Sequence, residues 1–166
     1  MNRAVIADAG PLIALAKLDR LDLPAALFAE VLVPATVAEE CTRPFERPDA
    51  QAIGAVLEQD GSYHRVTVES HHKLSAIGRL LDAGEAEALA LALDKGLPVL
   101  MDERRGRQEA GRLGVEVVGT GAVLVAAKRQ GRIAEVGPAL DLLAEKGYRF
   151  SAALRQALLE KSGELK

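Results

Sequence analysis

The chain predicts an α/β fold with a central, mainly parallel sheet and helices on both faces. Three observations carry this expectation. Short apolar runs alternate with longer Ala- and Leu-rich stretches, the connectors between them are short, and several apolar runs stop at a residue that opens a helix. A repeated strand–helix unit of this kind pairs its strands in parallel. The 166 residues are enough for one domain with a full core. The expectation is a single domain over 1–166, with a core at about 3–150 and a C-terminal helix at about 151–162.

Taken in order, Ala4 to Ala7 reads as a buried strand ending on Asp8. Gly10-Pro11 then turns the chain into a helix to about Leu18, with Pro11 suited to its first turn. Leu21 to Ala29 reads as a second helix and Glu30 to Pro34 as a compact strand. Ala35 to Cys41 is a helix, capped by Thr36 or started at Pro34. Arg43 to Asp49 is a Pro-rich charged loop, and Asp49 is expected to cap a helix through about Gln59. His64 to Val68 alternates like a strand, and Lys73 to Leu81 reads as a helix.

The Ala/Leu alternation between Leu81 and Pro98 mimics a strand, but alanine favours helix and the run is of helix length. Gly96 is a fitting stop, and an apolar middle nearly all round predicts a helix sandwiched in the core. Pro98 to Asp102 is the next strand, Arg104 to Gly114 a basic helix, and Val115 to Val118 a further strand. Ala122 to Gln130 is a helix with Thr120 as its N-cap. Arg132 to Lys146 is helical with a break at Gly137-Pro138. After the Gly147-Tyr148-Arg149-Phe150 connector, Ser151 to Lys161 is helical, with Leu154, Leu158 and Leu159 as a packing stripe.

Composition narrows the function classes. The net charge is −3, whereas proteins that grip nucleic acid by bulk charge are basic. Binding of nucleic acid would need local basic patches, bridging metal ions or a partner's charges. The absence of Trp and the five Phe and Tyr residues argue against a row of base-stacking platforms. The single Cys41 excludes an intramolecular disulfide and a multi-cysteine zinc site. Asp8 interrupts any N-terminal apolar region, and no run is long enough to span a membrane. A cytoplasmic location is expected.

Two strands end in acids, Asp8 and Asp102, and parallel strands bring such ends to one edge of the sheet, where open α/β sheets bind ligands. Glu39 or Glu40 and Glu85 lie on helices nearby; adjacent helix residues point about 100° apart, so only one of Glu39 and Glu40 faces a common site. Each acid also has a plainer reading: Asp8 as an N-cap, Glu85 as a first-turn carboxylate favoured by the helix dipole, Glu39 and Glu40 as solvated surface residues. Carboxylates gathered without His or Cys suit hard divalent ions, Mg²⁺ or Mn²⁺. His71 and His72 lack metal-site spacing and read as solvent-facing. Gly119-Thr120-Gly121 either presents amides to a phosphate or is plain turn geometry. A phosphotransferase with an Asp nucleophile expects a second acid two residues after Asp8, where Gly10 stands.

In this order and spacing, the motifs resemble the PIN-domain ribonucleases over Val5 to about Phe150. They are Ala7-Asp8-Ala9-Gly10-Pro11-Leu12-Ile13, Pro34 with Val37-Ala38-Glu39-Glu40, Gly84-Glu85-Ala86-Glu87-Ala88, Met101-Asp102-Glu103 with Gly106-Arg107, Gly119-Thr120-Gly121 and Ala126-Ala127-Lys128. The chain looks like the PIN subgroup often described only as predicted nucleic-acid-binding proteins, related to the toxins of VapC-type toxin–antitoxin pairs. The resemblance implies a three-layer α/β/α domain, here with a C-terminal helical extension. It implies metal-dependent endoribonuclease activity, with Asp8, Glu40, Glu85 and Asp102 as catalytic and metal-binding acids and Glu103 as a further candidate ligand. Glu40 matches the second family acid better than Glu39, and Glu85 matches the third better than Glu87. It further implies Mg²⁺ or Mn²⁺, an RNA substrate, a small antitoxin partner and homodimers, with no membrane. Arg104, Arg105, Arg107 and Thr120 are candidate substrate contacts; a solvated basic helix face is the plainer reading of the arginines. The hydroxyl residue common before the fourth acid is replaced by Leu100-Met101. A catalytically weak or inactive nucleic-acid-binding module on the same fold is the alternative.

Overall fold

The computed structural model describes residues 3–69, 77 and 81–165. The His71-His72 pair and nearly all of the helix expected at Lys73 to Leu81 lie outside the described residues. Five strands form one sheet: β1 (Val5–Ala7), β2 (Val31–Pro34), β3 (Tyr63–Val66), β4 (Val99–Leu100) and β5 (Val117–Val118). Their order is β3-β2-β1-β4-β5 and every pairing is parallel. The register sets Val5 beside Val31, Ile6 beside Val99 and Ala7 beside Leu100. From β1 the chain moves outward through β2 and β3, then returns to place β4 and β5 on the other side. The direction reverses between β1 and β4, and a crevice opens at the carboxyl ends of strands at such a point.

The helices are α1 (Ala9–Lys17), α2 (Asp22–Leu27), α3 (Ala35–Thr42), α4 (Pro48–Glu58), α5 (Ala83–Lys95), α6 (Arg104–Leu113), α7 (Thr120–Arg129), α8 (Val136–Glu145) and α9 (Ala152–Lys161). Strand side chains alternate between the two faces. Val5, Ala7, Val31, Val33 and Leu100 join one core with Leu12, Leu15, Val37, Leu124 and Leu143. Ile6, Val99 and Met101 join a second with Leu89, Leu91 and Ala110, which puts α5 and α6 on the opposite face. The three layers expected from the sequence are therefore present. The apolar run of α5 is sandwiched as predicted, and Gly96 closes it in the left-handed region at φ 64°. No helix among the described residues is long and apolar enough to cross a membrane.

Several local expectations are corrected. Asp49 does not cap α4: Arg47 holds that place and Pro48 opens the helix. Asp49 is buried in the first turn, with its carboxylate 3.1 Å from the Arg47 guanidinium. Thr36 does not cap α3, which starts after Pro34; the Thr36 N–H instead donates to Glu87 at 3.2 Å. The third strand sits earlier than His64 to Val68, because Tyr63 is the residue that pairs with Val31 and turns inward, its hydroxyl donating to the Leu21 carbonyl. Gly119, not Thr120, is the N-cap of α7. Gly137-Pro138 opens α8 rather than breaking a helix, since the first turn has no intrahelical use for the missing proline N–H.

The C-terminal helix α9 and the residues after it are anchored at several points, and the Lys161 carbonyl accepts from Arg129 at 3.3 Å. Leu158 packs where a Cβ on Gly121 would collide with it. Arg155 pairs with Asp141 at 2.8 Å. Glu164 accepts from the Val136 and Gly137 amides at 2.8 and 2.9 Å and from Lys128 at 3.0 Å. Of the expected packing stripe, Leu158 is buried, but Leu154 is 44% exposed.

Candidate active site

Asp8 follows β1 directly, and its N–H donates to the Leu100 carbonyl of β4 at 3.0 Å. That bond fixes the residue at the point where the strand order reverses. It occupies the N-cap position of α1, but its side chain makes no capping hydrogen bond. The plain capping reading is therefore not the one observed. The residue is 4% exposed. Burial pushes its carboxyl up to about 7; the Ala9 amide works against this, while Glu85, Asp82 and Glu40 add to it.

Glu40 and Glu85 arrive from two helices that pack against each other. Glu40 lies on the half-buried side of α3 and Glu39 on the exposed side, where Arg65 takes it at 3.3 Å. The choice of Glu40 over Glu39 follows from that rotation. Glu40 rests over α5 because residue 84 is glycine. A Cβ there would stand 3.2 and 3.3 Å from its two carboxylate oxygens. Burial raises the Glu40 pKa, Asp82 and Glu87 raise it further, and Arg43 opposes them.

Glu85 is buried and serves as the second half of a capping box. Its N–H donates to Asp82 at 2.8 Å and its carboxylate accepts from the Asp82 N–H at 3.2 Å. The first-turn reading of Glu85 is thus correct as local structure. Its pKa is nonetheless raised, by burial and by Asp82, Glu103 and Glu40, with the Asp82 amide opposing. Glu87 points elsewhere, to α3.

Asp102 stands beyond β4 on the same edge but is turned another way. It accepts from the Thr120 N–H at 2.8 Å, from the Thr120 hydroxyl at 2.6 Å and from the Tyr148 hydroxyl. Glu103, its neighbour, is the one whose charge reaches Glu85. Thr120 is fully buried and commits both its donors to Asp102, so it holds a carboxylate rather than a substrate. The Gly-Thr-Gly turn is packing geometry: a Cβ on Gly119 would come within 2.7 Å of the Arg107 guanidinium and 3.1 Å of Asp102. Arg107 donates to the Met101 carbonyl at 3.4 Å and, with Arg104, lines a cavity beside Asp102; Arg105 does not.

Two residues escaped the sequence reading. Asp82 repels Asp8, Glu40 and Glu85; its signal was the Asp82-Ala83-Gly84-Glu85 spacing of a capping box. Tyr148 reaches Asp102 from the C-terminal connector, and only the fold brings them together. Gly10 makes room for it, since a Cβ there would lie 3.2 Å from the Tyr148 hydroxyl.

Among the described residues, no group of three or more His, Cys, Asp or Glu side chains is arranged to hold a metal ion by itself. The donor chemistry of Asp8, Glu40 and Glu85 still fits Mg²⁺ or Mn²⁺. All donors are carboxylate oxygens, they repel one another, and such ions are commonly held by one or two carboxylates together with waters and substrate phosphates.

The family model for DUF3368, described as a PIN domain, matches residues 4–164. No curated protein matches the sequence. PIN domains are generally nucleases, and they generally use divalent metal ions. The match spans all five strands and the acidic edge between β1 and β4, and the chain belongs to the PIN-domain family.

Proposed function

We propose that the protein is a Mg²⁺- or Mn²⁺-dependent endoribonuclease acting at the Asp8–Glu40–Glu85 edge. The observation that carries this reading is Asp8: a buried carboxyl held near neutrality by burial and by the acids around it, at the strand ends where β1 and β4 part. Such a group gains from a cation or from a proton, and carboxylates gathered in this way suit a metal-dependent phosphodiesterase site. The ion, when bound, would supply an activated water and offset charge on the leaving oxygen. Asp8, Glu40 and Glu85 would hold it, with Glu103 as a further candidate oxygen donor. Asp102 is clamped by Thr120 and Tyr148 at the rim. Arg104 and Arg107 would take substrate phosphates. Net hydrolysis adds water across one P–O bond, leaving a phosphate on one product and a hydroxyl on the other.

The test is cleavage of RNA by the purified protein with Mg²⁺ or Mn²⁺, beside Asp8→Asn. Metal-dependent cleavage is expected, with loss of about a hundredfold or more in the variant. Cleavage by Asp8→Asn at the wild-type rate overturns the reading. One observation favours a second reading, a binding module with weak or no activity: the Asp102 carboxylate is already taken by three donors. RNA binding indifferent to chelation, with no cleavage, would support that module instead.

The resemblance to toxins of VapC-type pairs adds a small antitoxin as partner and a homodimeric assembly. Growth arrest on expression, relieved by the product of an adjacent reading frame, tests the first, and sedimentation the second.

A further inference from the structure

We propose that the Tyr148-Arg149-Phe150 connector and the start of α6 form a subsite for one unpaired nucleotide of the substrate, beside Asp102. The proposal rests on the nuclease reading for the identity of the ligand as RNA; the geometry of the subsite stands apart from it. A cavity of about 320 Å³ lies there, walled by Asp102, Arg104, Arg107, Arg149, Phe150 and Leu154. That is the small end of ligand pockets, which run about 300–1,000 Å³, and fits a single nucleotide rather than a folded segment.

The charge matches a phosphate. Three guanidinium groups line the cavity against two carboxylates, and one of these, Asp102, is spoken for by Thr120 and Tyr148. Arg107 is pinned to the Met101 carbonyl. Among the described residues, the Arg104 and Arg149 side chains make no ion pair or hydrogen bond, so both guanidinium groups are open to a ligand. Phe150 and Leu154 supply the apolar part of the wall, beside Tyr148 and Ser151. Phe150 meets Tyr148 edge-to-face, with centroids 5.7 Å apart and planes at 60°. Phe150 is half-buried against the main core and lines the cavity with the rest of its surface. Leu154 is 44% exposed on the same wall, which accounts for an apolar residue at the surface.

An aromatic face with phosphate-binding cations beside it takes a base and its backbone together. A base inside a duplex has its faces stacked and its pairing edge in use, so it must leave the helix to enter. The subsite therefore selects single-stranded RNA. Few aromatics argued against a row of stacking platforms; a single platform needs only one.

The test uses fluorescence anisotropy with a labelled oligouridine of about ten residues, and a duplex of the same length, both in excess EDTA so that binding is read without cleavage. Wild type is expected to prefer the single strand by about tenfold or more. Phe150→Leu keeps the apolar packing but removes the ring, and should weaken single-strand binding by about fivefold or more while leaving duplex binding unchanged. Arg149→Gln should lower the slope of log affinity against log salt by about 0.7. Phe150→Leu binding within about twofold of wild type overturns the proposal, as does equal affinity for the duplex or no binding at about millimolar protein. If the protein binds through Phe150 but cleaves no RNA, the nuclease reading fails and the subsite stands. If it cleaves RNA while Phe150→Leu changes nothing, the reverse holds.

Discussion

The Glu40 carboxylate lies directly against Gly84, and a Cβ on residue 84 would stand 3.2 Å from one oxygen and 3.3 Å from the other. That contact is how α3 and α5 bring their acids to one edge. Alanine is the better helix former by about 1 kcal/mol. Gly84→Ala should therefore keep the thermal midpoint near wild type while displacing Glu40, and RNA cleavage should fall by about tenfold. Paired melting and cleavage assays check it. Unchanged cleavage would detach Glu40 from the chemistry.

Asp8 makes stability depend on pH. Its carboxyl titrates near 3.8 in the unfolded chain and is pushed up to about 7 in the fold. The native state then binds more protons than the unfolded state between those values, so this contribution is complete below about 3.8 and lost as pH rises to about 7. Asp8→Asn removes the effect. In EDTA, the variant should gain stability relative to wild type as pH rises from 4 to 7, by a few kcal/mol in order of magnitude. Denaturant melts across that range read it, and a constant difference between the two proteins would contradict it.

Metal binding should displace that proton. Titration of Mn²⁺ at a pH just below 7 should release protons, so the calorimetric heat will vary with the ionisation enthalpy of the buffer. Asp8→Asn should show neither the release nor the binding. Binding that is equally strong in Asp8→Asn would place the ion elsewhere.

Tyr148 should matter although it lies far from Asp102 in sequence. Tyr148→Phe keeps the ring contact with Phe150 and deletes the hydroxyl that donates to Asp102. A hydrogen bond to a charged group is worth about 1.5–3 kcal/mol, and Asp102 retains both bonds from Thr120. The expected result is a loss of about 1–2 kcal/mol in stability with cleavage reduced about tenfold.

At the C-terminus, Glu164 serves as a cap supplied from a distance. Burial would raise its carboxyl, but the Gly137 amide, the Ser162 hydroxyl, the Val136 amide and Lys128 together draw it down to about 2. Its contribution is present above its ordinary 4.5 and lost as pH falls through about 2. Glu164→Ala should cost about 1–2 kcal/mol and raise amide exchange in the first turn of α8.

The layer order, the five strands and the acidic edge were legible in the sequence because each rests on local patterning. Ala4 to Ala7 and Pro98 to Asp102 announce buried strands by composition, and strands joined through helices pair in parallel, which brings Asp8 and Asp102 to one edge. Gly96 and Ser151 likewise mark their helix ends by backbone chemistry alone. Tertiary structure decided which way each acid turns. Asp102 faces Thr120 and Tyr148, and the Tyr148 partner comes from 46 residues away, a distance across which no spacing rule operates. Asp49 and Thr120 look like caps in isolation; Arg47, two residues before Asp49, and Asp102, which the fold brings to Thr120, claim their side chains instead. A short polar side chain takes the strongest partner within reach, and reach is a property of the folded chain.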